Sequence, residues 1–525
     1  MVGISYLDSM LKLKKIIQNN WQLSSVFFVS VILLLWNISG RTFWMDETAV
    51  LLYLKYPVID FIKYYWTIPD NHPPLYYFLV LLVSKILPWN ELMVRLVSVI
   101  SGIGIVCLVY QFTLKISASK TKAGWAAFFT VFSSFFVLIS QMARYHSLAA
   151  FFSLLTFYLF YLLYTEGYKK KIFFLYLACL LFTAYSDYPH FIYTVVITNV
   201  FFLYLLIKKQ AFVNVARWIQ GQFLAAIACL PLVYIIYQRI VVQGDGGWEK
   251  VNLLSNSWLN ITAGILFHIY VFFFGENIFP WNILFFVAGA AVLFTALFSL
   301  IANIKKNLFS KGEQYILLLT VLLVILNTFF MNKADPRYNF TIYPKFGFVA
   351  FPLFIMSIYF CLDKIVKRRI KFVVFFLWII IAGFGLYNFY TLSNYFNGSY
   401  FRNFETFNFV RENSVVGEYL VVSGDLNEGV YQFYESAYFE KLRPLDLNIF
   451  KNGAVATGTK VWFFSTGSDD TSSSIETVNL IPAGYAILKR FDSVPLDPTL
   501  KYYKEKFLHR PSYTYKYSVF LLKKI

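Results

Sequence analysis

The feature that most constrains this chain is a series of apolar runs, each about 15–25 residues long, that no carboxylate interrupts and that hold no lysine apart from Lys115 at the very end of one. They are Trp21–Ile38, Leu92–Ile116, Ala123–Ser140, Ser147–Tyr164, Ile172–Ser186, Phe191–Ile207, Phe223–Tyr237, Trp281–Ile304, Tyr315–Met331, Phe346–Cys361 and Phe372–Tyr390. Runs of this length match the hydrocarbon thickness of a bilayer when they are helical. Composition agrees, because 58% of the 525 residues are hydrophobic and only 14% charged, against about a quarter charged in a soluble domain. Two further runs, Pro74–Leu87 and Ile261–Phe274, are apolar but short.

The formal charge of +18 would suggest a nucleic-acid partner were it not for its placement. From Thr391 onward basic and acidic residues nearly balance, 15 against 14, so the first 390 residues hold 31 basic and 14 acidic groups. The surplus sits between apolar runs, in Lys115/Lys120/Lys122, Lys169–Lys171, Lys208/Lys209, Lys305/Lys306/Lys311 and Lys364–Lys371. With eleven crossings and a cytoplasmic N-terminus, every one of these clusters faces the cytoplasm, as the positive-inside bias requires. Crossing by Pro74–Leu87 alone would turn the next three outward, so both short runs are expected to be interfacial or re-entrant. Lys12, Lys14 and Lys15 before the first run resemble the start of a signal peptide. The bulky Arg41–Asp46 segment offers no small-residue cleavage site, and an uncleaved anchor is expected.

The expected architecture is therefore an all-α polytopic membrane bundle, with about eleven transmembrane helices plus interfacial helices, over residues 1–390. A small soluble α/β domain, expected on the extracytoplasmic side, occupies residues 391–525. In this tail Glu418–Ser423, Lys460–Phe464 and Tyr517–Leu522 read as strands, Glu428–Phe439 as a helix and Ser465–Ser474 as a loop. Cys107, Cys179, Cys229 and Cys361 lie inside apolar runs without metal or disulfide spacing, which fits a bacterial inner membrane.

Polar groups gather at the outward ends of the runs. Asp46-Glu47 follows the first run, and adjacent carboxylates near lipid are costly; a solvated helix cap is the plain alternative. Asp70-Asn-His72-Pro-Pro-Leu-Tyr-Tyr places two prolines where a helix would open with free N–H groups beside His72, a potential anion site or simply a helix start. Arg95, Arg144-Tyr145-His146 and Asp335-Pro-Arg337-Tyr338 put guanidinium groups on the outer side, against the charge bias. A lipid phosphate would pair with them bidentately, and local carboxylates such as Asp46 or Glu47 are the competing partners. Asp187-Tyr-Pro-His190 lies at another outer turn.

These residues resemble C-type (GT-C) membrane glycosyltransferases, the polyprenyl-phosphate-sugar-dependent group that includes protein O-mannosyltransferases and lipid A aminoarabinose transferases. The resemblance rests on Asp46-Glu47, Asp70-x-His72-Pro-Pro-Leu-Tyr-Tyr, Asn90-Glu91-x3-Arg95-Leu-x-Ser98, Gln141-x-Ala-Arg144 and Pro336-Arg337-Tyr338, in order over about 350 residues. Tyr145 follows Arg144 directly, where the family often has one residue between. The resemblance implies a single sugar on a polyprenyl phosphate as donor and inverting transfer outside the cytoplasm. The acceptor would be a hydroxyl or phosphate of an envelope glycolipid, glycan or protein. It implies Asp46 as the base, Glu47 as its orienting partner (the two roles being exchangeable), and Arg95, Arg144, Arg337 and Tyr338 as phosphate-binding groups. Asp70, His72, Tyr145 and His190 would line the substrate site. The resemblance implies no particular cofactor and leaves open a divalent metal between carboxylates and phosphate, as some relatives have. A flippase for lipid-linked sugars, or a non-catalytic membrane scaffold, are the alternatives. A flippase calls for mid-helix charges, which this sequence nearly lacks.

Overall fold

The computed structural model describes residues 20–43, 45–67, 72–238, 258–334, 343–391, 403–422, 433–469, 481–492, 499, 502, 506 and 512–525. Each of the eleven apolar runs is helical, as it must be where no water can satisfy an open backbone. In chain order the helices are α1 (Trp21–Leu35), α2 (Met45–Leu54), α3 (Val58–Thr67), α4 (Leu75–Ser84), α5 (Glu91–Ser117), α6 (Lys120–Val131), α7 (Ser134–Ser140), α8 (His146–Glu166), α9 (Lys170–Ser186) and α10 (Tyr188–Ile207). They continue as α11 (Val215–Ala228), α12 (Leu230–Tyr237), α13 (Trp258–Phe274), α14 (Ile283–Lys305), α15 (Lys311–Ala334), α16 (Tyr343–Phe346), α17 (Ala350–Asp363) and α18 (Arg368–Tyr390).

Among the described residues six helices are long and apolar enough to cross a membrane, or eight if each bent pair is one span. The expected eleven are not recovered by length alone, since α1, α9 and α17 stop at 15, 17 and 14 residues. The Ala123–Ser140 run is broken into α6 and α7, bent by 69°, and Phe223–Tyr237 into α11 and α12, bent by 44°. Pro231 at the start of α12 lacks the N–H that would carry the helix through, which accounts for the second bend. The run Ile261–Phe274 belongs to the 17-residue α13, longer than α1 and α17, so length does not set it apart from the expected spans.

The described chain divides into two units. The first runs through Trp36 and includes Val58–Leu82 and Arg95–Tyr387; the second holds Asn37–Pro57, Val83–Val94 and Asn388–Ile525. Within the first unit α8 packs on α9 and α10, α15 on α17 and α13, and α1 on α6. Gly264 lets α13 approach closely, because a Cβ there would lie 2.7 Å from the Thr328 methyl on α15.

Two polar layers bracket this unit. At one end Glu166 accepts from Lys115 and Lys169 at 2.5 and 2.6 Å, Asp363 pairs with Lys122 and Lys371 at 2.7 and 2.5 Å, and Glu313 pairs with Lys364 at 2.9 Å. At the other end lie Arg144, His146 and His190. Helix α8 joins the layers, starting at His146 and ending at Glu166, and its 21 residues span roughly 31 Å at 1.5 Å each. That is the thickness of a bilayer's hydrocarbon core.

In the second unit α19 (Asn403–Asn413) precedes a five-stranded sheet of β1 (Tyr419–Val422), β2 (Arg443–Pro444), β3 (Lys460–Asp469), β4 (Tyr485–Asp492) and β5 (Ser512–Lys524), ordered β2-β1-β3-β5-β4. The β1–β2 and β1–β3 pairs are parallel, and β5 runs antiparallel to both β3 and β4. Val421, Phe450, Val461, Phe463, Phe520 and Leu522 form the core. The expected strands at Lys460–Phe464 and Tyr517–Leu522 lie inside β3 and β5. The expected loop Ser465–Ser474 is corrected: β3 continues to Asp469, because β5 supplies partners such as Thr466↔Tyr517 that the local Ser/Gly/Asp composition does not reveal. Of the expected helix Glu428–Phe439, residues 433–439 are helical, ending in a π-turn, and the rest lies outside the described residues.

Candidate active site

The turn between α7 and α8, Gln141–Tyr145, carries the first functional side chains. Its position is fixed from two sides. Gln141 Nε2 donates to the carbonyls of Leu33, Leu34 and Trp36 at 3.1–3.3 Å, satisfying the open C-terminal end of α1. From the other side Ser98 Oγ, on α5, donates to the Arg144 carbonyl at 3.0 Å and lies 2.9 Å from the Tyr76 hydroxyl on α4. Ser98 has one hydroxyl proton and gives it to Arg144, so Tyr76 is the donor to Ser98. A chain of hydrogen bonds thus ties α4 and α5 to the backbone of Arg144. Arg95, only 2% exposed, sits one turn before Ser98 on α5.

The Arg144 side chain is 7% exposed and meets His72, Nη2 to Nε2, at 3.2 Å. A guanidinium only donates, so His72 Nε2 must carry the lone pair and the neutral ring its proton on Nδ1. The His72 ring also stacks obliquely on Tyr145, centroids 4.4 Å apart, and the Tyr65 hydroxyl on α3 donates to the His72 carbonyl. Arg144 Cζ lies 5.1 Å from the Tyr145 ring centre. Tyr145 therefore holds both cation and imidazole in place.

His146, the first residue of α8, is 1% exposed, and its electrostatic neighbours are Lys345, Arg144, His190 and His72. Lys345 stands on α16 beside Phe346, whose ring is 5.5 Å from that of His146. His190 is wholly buried. Its Nδ1 lies 2.5 Å from Asp187 Oδ2, and the same carboxylate oxygen caps α10 by accepting from the His190 backbone N–H at 3.3 Å. His72, His146 and His190 thus stand at or just before the N-terminal ends of α4, α8 and α10, where unpaired N–H groups and the helix dipole favour an anion.

A second buried network supports this cluster. Asn327 on α15 accepts from the Tyr193 hydroxyl on α10 at 2.8 Å and donates to the Tyr343 carbonyl at 2.8 Å and to His268 Nε2 on α13 at 2.7 Å. His268 Nδ1 in turn meets the Gly264 carbonyl at 2.7 Å.

Of the residues expected from the sequence, Arg144, Tyr145, His72 and His190 come together, and the Ser98 bond links the α5 turn bearing Arg95 to Arg144. Glu47 is buried on α2 in the second unit, 1% exposed; Asp46 belongs to the same helix, and its side chain lies outside the described residues. Asp70, Arg337 and Tyr338 also lie outside them. Among the described residues no group of three His, Cys, Asp or Glu could hold a metal ion. His146 was noted in the sequence only as the end of the Arg144-Tyr145-His146 cluster, with no role assigned, and Lys345 was not singled out. A lysine on a segment expected to be external breaks the positive-inside bias as the arginines do, and that signal pointed to Lys345.

Residues 40–242 match the family model described as dolichyl-phosphate-mannose-protein mannosyltransferase. In fold the chain is similar to ArnT from Cupriavidus metallidurans bound to undecaprenyl phosphate, at 7% identity, over 95% of this chain and 97% of that one, with a TM-score of 0.53. The apo form of the same protein aligns at 8% identity over 96% and 98%, again with a TM-score of 0.53. The apo oligosaccharyltransferase of Archaeoglobus fulgidus aligns at 15% identity over 85% of this chain and 69% of its own, with a TM-score of 0.43. No curated protein sequence matches the chain. The family model and the shared fold bear out the resemblance to C-type membrane glycosyltransferases and the helical architecture with a small C-terminal sheet.

Proposed function

We propose that this chain is a multi-pass membrane glycosyltransferase that moves one sugar from a polyprenyl-phosphate donor to an acceptor on the extracytoplasmic face of a bacterial inner membrane. The acceptor is a hydroxyl or phosphate of an envelope glycolipid, glycan or protein. The observation that carries this reading is the part-buried contact of Arg144 with His72, amid His146, His190 and Lys345, where three helices begin. The family match across residues 40–242 and the undecaprenyl phosphate held by the similarly folded ArnT support a lipid-linked donor.

The chemistry follows from charge. The acceptor oxygen attacks the anomeric carbon, its proton passes to a carboxylate, and the bond from that carbon to the phosphate oxygen breaks. The donor is a phosphodiester with one negative charge; the leaving lipid phosphate takes the bonding electrons and gains a second. Groups that answer this added charge lower the barrier. Arg144 supplies a permanent cation, with His72 beside it. Arg95 and, from the 335–342 segment, Arg337 and Tyr338 are assigned to the same phosphate, while Asp70, Tyr145 and His190 are assigned to substrate binding. Asp46 is assigned as the base, with Glu47 as its orienting partner. The segment from residue 391 is proposed as a soluble extracytoplasmic domain.

The test uses membranes carrying the full chain and supplied with a polyprenyl-phosphate sugar. Asp46→Asn should lose transfer about a hundredfold or more at unchanged expression, the scale of a lost general base. Full transfer by that variant would remove Asp46 from the mechanism. Envelope glycolipids and glycoproteins compared by mass spectrometry, with and without the gene, should differ by one monosaccharide.

A further inference from the structure

Two connections in the lysine layer share one face. Ser299 on α14 donates to the Cys361 carbonyl on α17 at 2.5 Å, so these helices end side by side. Beyond them Lys364 Nζ reaches from one connection to the other, 2.9 Å from Glu313 and 5.5 Å from the Phe309 ring centre. Glu313 also closes a capping box with Ser310 at the start of α15. The other carboxylate here, Asp363, is held by Lys122 and Lys371. Segments 304–312 and 364–372 contain no further acid. Lys305, Lys306 and Lys311 on the first, and Lys367, Arg368 and Arg369 on the second, are exposed. None of the six has a carboxylate partner among the described residues.

Among these cations stand exposed aliphatic side chains: Ile304, Leu308, Ile370 and Val366, the last 95% exposed. Such exposure is costly in water, but α14 ends and α15 and α18 begin here, and all three are long and apolar enough to cross a membrane. The face therefore sits at the level of lipid headgroups, where aliphatic groups enter the acyl boundary and cations stay outside it. The positive-inside bias asks only for cations near helix ends. It does not ask that two connections be joined through a lysine–glutamate pair, or that aliphatic groups be interleaved with the charge. A soluble acidic partner would leave those aliphatic groups unmatched. We propose that the α14–α15 and α17–α18 connections together bind the headgroup of an anionic phospholipid. Its phosphate takes charge-assisted hydrogen bonds from Lys305, Lys306, Arg368 and Arg369, and its acyl chains meet Val366 and Leu308. A lipid held by both connections clamps α14 and α15 to α17 and α18 and stabilises the first unit. The site is separate from the one around Arg144 and does not depend on the reaction proposed there.

Full-length protein purified in detergent tests this, with phosphatidylglycerol, phosphatidylcholine of the same chains and inorganic phosphate as probes. Native mass spectrometry should show phosphatidylglycerol bound about tenfold more tightly than phosphatidylcholine, and the anionic lipid should raise the melting temperature more. Two pair variants each alter one connection: Lys305→Gln with Lys306→Gln, and Arg368→Gln with Arg369→Gln. Each should weaken phosphatidylglycerol about tenfold or more, since a cation near an anionic headgroup is worth roughly a fivefold change, while phosphatidylcholine binding holds. If one pair variant fails to insert, the other decides. Lys170→Gln with Lys171→Gln, an exposed pair at the start of α9 in the same layer, is the control and should bind like the wild type. A control that loses phosphatidylglycerol as much as the pair variants do would reduce the effect to diffuse charge and overturn the site. Wild-type protein with no preference for the anionic lipid, or pair variants that keep the preference, would overturn it too. Inorganic phosphate that displaces the lipid at equal concentration would overturn the lipid assignment.

Discussion

Arg144 does more than carry a charge, because its backbone and its side chain are held by different partners. The carbonyl takes the Ser98 hydroxyl, itself backed by Tyr76, while the guanidinium spans His72 and the face of Tyr145. Lysine at this position would keep the charge but lose the planar fork and the second donor. Arg144→Lys should therefore raise the KM for the polyprenyl-phosphate donor about tenfold or more, the value of one charge-assisted hydrogen bond, with a smaller fall in kcat. Steady-state kinetics at varied donor concentration measures this. An unchanged donor KM would make Arg144 a purely structural residue. Arg144 was legible in the sequence because a guanidinium at an expected outward helix end contradicts the charge bias and so asks for a partner. The identity of that partner was not legible: His72 lies 72 positions earlier, and only the fold brings the two together.

At the scale of elements, hydrophobic runs located each of the six helices that, among the described residues, are long and apolar enough to cross a membrane, since lipid leaves the backbone no alternative to helix. What they could not locate are the breaks and the polar joints. The 69° bend between α6 and α7 falls at Phe132-Ser133, beside the Ser133-Ser134 pair of an otherwise apolar run, and it is this bend that delivers Gln141–Tyr145 to the site. In the second unit β3 was read too short for a related reason, its polar end being a strand only through pairing with β5. The Asn327 hub is another such joint. One side chain bonds groups on α10, α13 and α16 through three contacts, and no motif announces it. Interhelical hydrogen bonds within membranes contribute roughly 0.6–2 kcal/mol each, and three together give about 2–6 kcal/mol. Asn327→Leu should accordingly lower the unfolding temperature in detergent by several degrees, whereas Tyr193→Phe, losing one bond, should lower it by less. Equal melting of Asn327→Leu and wild type would show the network to be energetically idle.

The whole chain is organised by charge as much as by apolarity. Glu166, Asp363 and Glu313 are each neutralised by lysines in one polar layer of the first unit, and the basic residues left over there, including Lys367, Arg368 and Arg369, are exposed. The opposite layer holds few fixed cations, Arg144 buried and Lys345 half-buried, within electrostatic reach of His146. Loops rich in exposed lysine stay on the cytoplasmic side during insertion, so the proposed function expects the lysine layer in the cytoplasm and the histidine layer outside. That orientation would give a lipid-linked donor and an envelope acceptor a common face. It can be tested with single cysteines, because Cys179, Cys229 and Cys361 are buried and Cys107 is half-buried in α5, and all four can be exchanged for alanine. In that background Lys306→Cys, in the exposed turn after α14, should react with a membrane-impermeant maleimide only after the membrane is opened. Val416→Cys, 78% exposed in the turn before β1, should react in intact cells. The reverse pattern would put the histidine layer in the cytoplasm. The donor would then have to be met on the side where it is made, and the extracytoplasmic reading of the reaction would fall with the topology.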